Sequence, residues 1–364
     1  MPSSNPAHEQ QRRYSRSKLP QADYQTPTDM TDAANRIDFP VKDSNFTKWT
    51  PKFETNKGDA TGTNHATERY VTENEAEVSH EIRVCSEEAG RDLLDAFGSV
   101  TVTTPDAVNA AAARKHKFTP LDIAVSKQLP SRTFVEIDGP GLNRSFPSMV
   151  TESYELKGSG SGHVSASASY RGSGRKITPS GISASDIAKL AGLRYFTNSM
   201  VKLTRSDTGT QLNPQTLGAA NRLEQWAFRV KNNLLAEQGY VPGAELFQTA
   251  GDSKTGMVRS ELLVESQEFE FDYSARFAAQ SEEIAHLEAG KEIDILLGLT
   301  GPVIGGAIKH KLAVIVPRFV YEMVDLTSKD KVVQVQIKGL VMFDLTQELP
   351  ASVELTNTVL SYTA

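Results

Sequence analysis

Two stretches of the chain alternate acidic and apolar residues with a period of two, the mark of a half-buried β-strand. In Val71 to Val84, residues Glu73, Glu75, Glu77, Ser79, Glu81 and Arg83 fall on one face, and Ala76, Val78, His80, Ile82 and Val84 on the other. Between Gln267 and Phe277, Glu268, Glu270, Asp272 and Arg276 share one face, while Phe269, Phe271, Tyr273 and Phe277 share the other. Each strand is followed by Ser-Glu-Glu, at Ser86 and at Ser281, and then by helically spaced apolar residues. A serine ahead of two acids predicts a helix start there, because a side-chain oxygen and negative charge both suit the free N–H groups. Arg83 and Arg276 are 193 apart (276 − 83), and the two serines are 195 apart (281 − 86).

The pattern predicts further strands. Arg36 to Lys42 reads as a short edge strand, because Pro40 cannot donate to a ladder. His116 to Pro120, Arg132 to Ile137 and Ser145 to Leu156 follow; Gly158 to Gly162 makes a turn, and Val164, Ala166, Ala168 and Tyr170 alternate after it. A helix is predicted over Ile182 to Leu193. Strands are predicted over Arg222 to Lys231, Ile293 to Leu299, His310 to Val316, Phe319 to Leu326, Lys331 to Phe343 and Val353 to Tyr362. Residues 51–69 and 234–254 read as loops.

Several of these elements answer one another. Phe146-Pro147-x-x-Val150-x-Glu152 matches Val316-Pro317-x-x-Val320-x-Glu322, at a spacing of 170 (317 − 147). Phe39-x-Val41-Lys42 matches Phe228-x-Val230-Lys231, and Tyr170-Arg-Gly172 matches Ile337-Lys-Gly339. This ordered recurrence divides the chain into an extended, polar N-terminal arm (1–35), a first β-rich copy (36–178), a connecting segment (179–221), a second copy (222–349) and a closing strand (350–364). The arm is too polar to fold alone and reads either as a disordered tail or as an arm that orders against a neighbouring subunit, with Tyr14, Leu19 and Tyr24 as the candidate anchors.

Composition changes this picture mainly by exclusion. A net charge of −6 over 364 residues gives no basic footprint for holding nucleic acid. The single cysteine, Cys85, excludes a disulfide framework and reads as a small buried side chain. No apolar run approaches the roughly 20 residues of a membrane span, and no signal-peptide core is present, so the expectation is a soluble protein made in the cytoplasm. The seven histidines are dispersed without metal-ligand spacing, so neither catalysis nor a metal or other cofactor is expected. The acidic stripes admit two readings, a plain solvated face or carboxylates paired for acid–base work or a calcium site, and their recurrence weighs towards the second.

The ordered set resembles the tail tube (major tail) proteins of long-tailed bacteriophages. The resemblance rests on the strand–helix unit ahead of a run of strands, the strand end Lys231-Asn-Asn-Leu234 and the strand through Pro317. The stretches Gly339-Leu-Val-Met-Phe-Asp344 and Thr356-Asn-Thr358 complete it, over roughly residues 36–364. It implies a mainly β chain of tandem β-sandwich or half-barrel tube domains, each with a flanking α-helix, whose sheets join into a ring β-barrel on oligomerisation. Two tube domains per chain imply a homotrimeric, pseudo-sixfold ring, stacked into a tube in the virion tail and assembled in the host cytoplasm. Other tail proteins (terminator, tape measure, baseplate) are the implied partners, and DNA passes only in transit. On this reading Glu73, Glu75, Glu77, Glu81 and Arg83 of the first copy, with Glu268, Glu270, Asp272 and Arg276 of the second, line the lumen, where a carboxylate wall repels phosphates. The alternatives are another tail or injection-system component, such as a terminator or baseplate hub, and a β-rich hydrolase using a glutamate pair.

Overall fold

The computed structural model describes residues 12–38, 41–44, 46–55, 69–138, 142–178, 182, 192–206, 211–212, 223–240, 257–276, 283–329 and 332–363. Residues 183–191 of the predicted helix, the triplet start Ser281-Glu282, Phe39, Phe277 and most of both long loops lie outside these residues. The fold is mainly β. Strands β1 (Arg12–Ser17), β2 (Arg36–Asp38), β3 (Val41–Ser44), β4 (Lys48–Thr55) and β5 (Arg69–Arg83) precede helix α1 (Ala89–Phe97). Then come β6 (Gly98–Thr103), β7 (Arg114–Pro120), β8 (Arg132–Asp138), β9 (Leu142–Ser159) and β10 (Ser165–Gly172). The second half holds β11 (Val201–Arg205), β12 (Gln211–Leu212), β13 (Leu223–Leu234), β14 (Val264–Arg276) and helix α2 (Glu283–Ala289). It continues with β15 (Glu292–Gly305), β16 (Ile308–Lys329), β17 (Val332–Val341) and β18 (Ser352–Asn357).

The strands form one large antiparallel sheet that does not close on itself. Its central run is β3/β4, β5, β10, β9, β13, β14, β17 and the second half of β16. β9 and β16 are long because each serves two sets of partners. The first half of β9 pairs with β8, and the first half of β16 with β15; their second halves enter the central run. The expected break after Pro317 is therefore absent, and Phe319–Leu326 continues β16. Pro317, without an N–H, sits opposite a register shift between Ile293 and Ile295, where the ladder loses no bond by its presence. In β9 the corresponding bend puts Ser148 at φ 61°. Ser148 N donates to Gln21 Oε1 at 2.8 Å and its hydroxyl to the Tyr24 carbonyl at 2.5 Å, which hold that left-handed backbone in place.

Register shifts recur between the two halves. β8 and β9 shift between Arg132↔Met149 and Phe134↔Phe146; β15 and β16 shift between Ile293↔Phe319 and Ile295↔Val316. The Val41↔Ile82/Asp43↔Glu81 shift reappears as Leu223↔Ala275/Gln225↔Ser274. Lys52↔Glu73/Phe53↔Val71 reappears as Asn233↔Ser266/Leu234↔Val264. The shift at Ser169/Tyr170 on β10 reappears at Lys338/Gly339 on β17. These ladders keep the 193 spacing of the acidic strands and the 170 spacing of the proline strands. They move two local matches: Val41 corresponds to Leu223 rather than Val230, and Tyr170 to Gly339 rather than Ile337.

They also extend the recurring unit. β1 pairs with β8 through Arg16↔Phe134, and β11 pairs with β15 through Arg205↔Ile295. β1 and β11 are thus counterparts, 189 apart (205 − 16), so the unit begins inside the segments read as an arm and a connector. Tyr14 and Tyr24, expected to reach a neighbour, are buried within their own chain. Tyr14 and its counterpart Leu203 both enter the main core.

That core lies between the central run and the strands that fold back over it, and includes Val78, Ile82, Leu156, Phe228, Phe271 and Phe319. Helix α1 is buried along its whole length. It ends at Gly98, whose φ of 94° suits a residue without Cβ and whose N–H bonds the Leu94 carbonyl. Ser86 does not cap it. Glu88 is the N-cap, and the Ser86 hydroxyl instead lies 2.7 Å from His310 Nδ1. Cys85 is buried, and burial pushes its thiol up to about 12. Among the described residues no helix is long and apolar enough to cross a membrane.

Candidate functional site: the charged face of the central sheet

Alternation puts every second residue of the central strands on the face away from the core. On β5, Ala76, Val78, His80 and Ile82 are buried, and Glu73, Glu75, Glu77 and Glu81 are half-buried with Arg83 exposed. On β14, Phe269, Phe271 and Tyr273 are buried, whereas Glu268 is exposed and Glu270, Asp272 and Arg276 are half-buried. The nine residues expected on a common surface therefore lie on the polar side of two strands in one continuous sheet.

The face differs from a bare carboxylate wall. Strands β4, β10, β13 and β17 bring bases opposite the acids. Lys52 Nζ lies 3.0 Å from Glu73 and 3.2 Å from Glu75, and Arg259 reaches Glu75 at 2.8 Å. Arg171 lies 3.1 Å from both Glu77 and Glu152. Arg229 bonds Glu155 at 2.8 Å, lies 3.5 Å from Glu270 and makes its shortest contact with Asp272. Lys231 pairs with Glu268 at 3.5 Å, Arg276 with Glu224 at 3.2 Å, and Lys338 with Glu322 at 3.6 Å. The expectation of a repelling acidic lining is corrected to a surface of alternating, mutually neutralised charge. The sequence reading missed most of the bases because cross-strand partners are distant in the chain, as Arg229 is from Glu155.

Titration follows the pairing. Burial alone would raise Glu75, but Lys52 and Arg259 outweigh it and hold the carboxyl below its ordinary value. Glu155 is lowered in the same way, burial being outweighed by Lys157 and Arg229. Glu268 is lowered chiefly by the Asn233 side-chain amide.

Ser86 and His310 are in hydrogen-bond contact at 2.7 Å, and Ser86 is fully buried. Among the described residues no group of three or more His, Cys, Asp or Glu side chains converges on a metal position. No protein-family model matches the chain, and no curated protein matches it.

Proposed function

We propose that this protein is the building block of a bacteriophage-type tail tube. Three chains form a ring, the charged sheet face lines the lumen, and stacked rings make a conduit through which DNA passes in transit. The observation that carries this reading is the way the two recurring units meet. Within one chain they join edge to edge, β9 to β13, and the corresponding edges at the ends of the run, β4 and the second half of β16, have no further strand among the described residues. An open edge of this kind is an aggregation hazard unless another strand covers it. Repeating the same junction between chains covers it, and a heterologous junction that closes generates a ring. The lining then needs to be wet and non-adhesive, which the paired charges supply. On this reading the protein works in the virion tail beside terminator, tape-measure and baseplate proteins, as a structural part rather than an enzyme.

Electron microscopy and native mass spectrometry of the purified protein test the proposal. Hollow rods or rings of three chains are the expected result. Monomers at every concentration would sink it, and rings of six chains would overturn the stoichiometry.

A further inference from the structure

Resting on the ring reading above, we infer the register of the junction between chains: Lys48, Trp49 and Thr50 of one copy lie opposite Asp325, Val324 and Met323 of the next. The junction inside the chain supplies the template. There Arg229 faces Glu155, Val230 faces Tyr154 and Lys231 faces Ser153. The shared register shifts relate each of these positions to one at an open edge. Lys52 corresponds to Asn233, which carries Lys48 onto Arg229 (229 − 48 = 181). Met149 corresponds to Phe319, which carries Glu155 onto Asp325 (325 − 155 = 170).

Two independent features agree with the transfer. The first is charge. Arg229 and Glu155 form an ion pair, and their counterparts Lys48 and Asp325 are again a base and an acid. Lys48 already lies opposite Glu77 in its own sheet, as Arg229 lies opposite Glu270, and among the described residues no outer strand partner faces it. A shift of one residue would set Lys48 against Val324 or Leu326, with no charge to meet. The second is burial. Leu156 is fully covered where β13 lies beside it, whereas its counterpart Leu326 is 50 % exposed. The same position is core at one junction and bare at the other. The occupant that fits is a second copy of this chain, presenting the edge that β13 presents internally.

Charge exchange and cross-linking test the register. Lys48 and Asp325 are both exposed, so Lys48→Glu and Asp325→Lys leave the monomer fold intact by circular dichroism. Each single reversal is expected to weaken ring formation roughly tenfold per junction, and the double variant to restore it. Directly opposed strand residues have Cα atoms about 4.5–5.5 Å apart, within disulfide reach. Thr50→Cys with Met323→Cys is therefore expected to give covalently closed rings on mild oxidation. Thr50→Cys with Thr327→Cys, about 13 Å out of register, is not. If the unmodified protein forms rings but the exchange fails to restore them or the first pair fails to cross-link, the register is overturned and the ring stands. If the unmodified protein never associates, both fall.

Discussion

Arg16 Nη1 lies 2.5 Å from Asp92 Oδ1, and neither side chain reaches solvent. Around this pair, Arg91 binds Glu88 and Arg132 binds Asp95, each at 2.5 Å, so the acids of α1 are matched by arginines from three elements. The second unit repeats the motif in a smaller form, with Arg205 on Glu283 at 2.5 Å. Breaking a buried pair leaves one ion stranded. Arg16→Met is expected to cost about 3–5 kcal/mol in urea unfolding, and Arg16→Met with Asp92→Leu distinctly less. Equal losses in both variants would show that Arg16 acts through packing alone.

Because β1 carries Arg16, shortening the chain has a sharp threshold. Removal of residues 1–11 should leave a cooperative unfolding transition, whereas removal of residues 1–20 takes away β1 and strands the acids of α1. Thermal melts of the two truncations, compared with the intact protein, check this. A normal melt without residues 1–20 would contradict the account of the buried network.

Arg229 is held by Glu155 and Asp272 on the polar face. Glu155→Gln with Asp272→Asn removes the two nearer of the three carboxylate charges around it at nearly constant shape, leaving Glu270 at 3.5 Å. Stability should change by only about 1 kcal/mol, since these groups are partly exposed and screened. Affinity for duplex DNA should rise, with a salt dependence that the unmodified protein lacks. Filter binding at several ionic strengths measures it, and an unchanged, salt-independent background would show that neutralisation is not what keeps the face non-adhesive.

His80 is buried against Tyr14, Phe134 and Tyr170, and burial, helped by the charge of Arg16, lowers its pKa to about 3. The unfolded chain takes up a proton near pH 6.5 that the folded chain refuses. Stability from this group is therefore complete above about pH 6.5 and declines as pH falls towards 3, by at most about 1.4 kcal/mol per unit. His116 and His310 are lowered too, mainly by burial, and add to the slope. His80→Phe should reduce the stability lost between pH 6.5 and 5 by about 2 kcal/mol. An identical pH profile in the variant would refute this.

At Gly339 an added Cβ would come within 2.2 Å of the Phe319 ring and 2.6 Å of the Val320 carbonyl. Its counterpart in the first unit is Tyr170, which lies opposite Thr151 on β9 and packs against Phe134 and His80. Gly339→Ala is thus an overpacking change, expected to cost about 1–3 kcal/mol, and a neutral result in chemical denaturation would mean that β16 and β17 separate easily.

Much of the fold was legible because alternation is a strong signal on half-buried strands. β5, β10, β13 and β14 were placed by it, and so were the 193 and 170 spacings. What the pattern concealed has physical causes. β1 and β11 carry buried arginines neutralised by ion pairs, so hydropathy reads them as a tail and a linker. The Tyr170 match slipped by two residues, since an even shift leaves the faces unchanged. The Phe39 match rested on three common residues and ignored the register shift beside Val41. At the candidate site the acids were visible, while their bases were not, because strand neighbours distant in sequence leave no local pattern.

β18 has a consequence for how the chain reaches this state. It lies between β7 and the first half of β16, with Val353 beside both Phe118 and Val314. Val353 and Phe118 are 235 residues apart (353 − 118), so this contact closes one of the longest loops available to the chain. Pairings of such separation form late, after their entropy has been offset by nearer ones. Until then β7 and β16 each present an uncovered edge, and the nascent protein passes through a state that is adhesive before it is complete. The order of synthesis therefore withholds the finished surface until both units are folded, and sets a clock on when one subunit is fit to meet another.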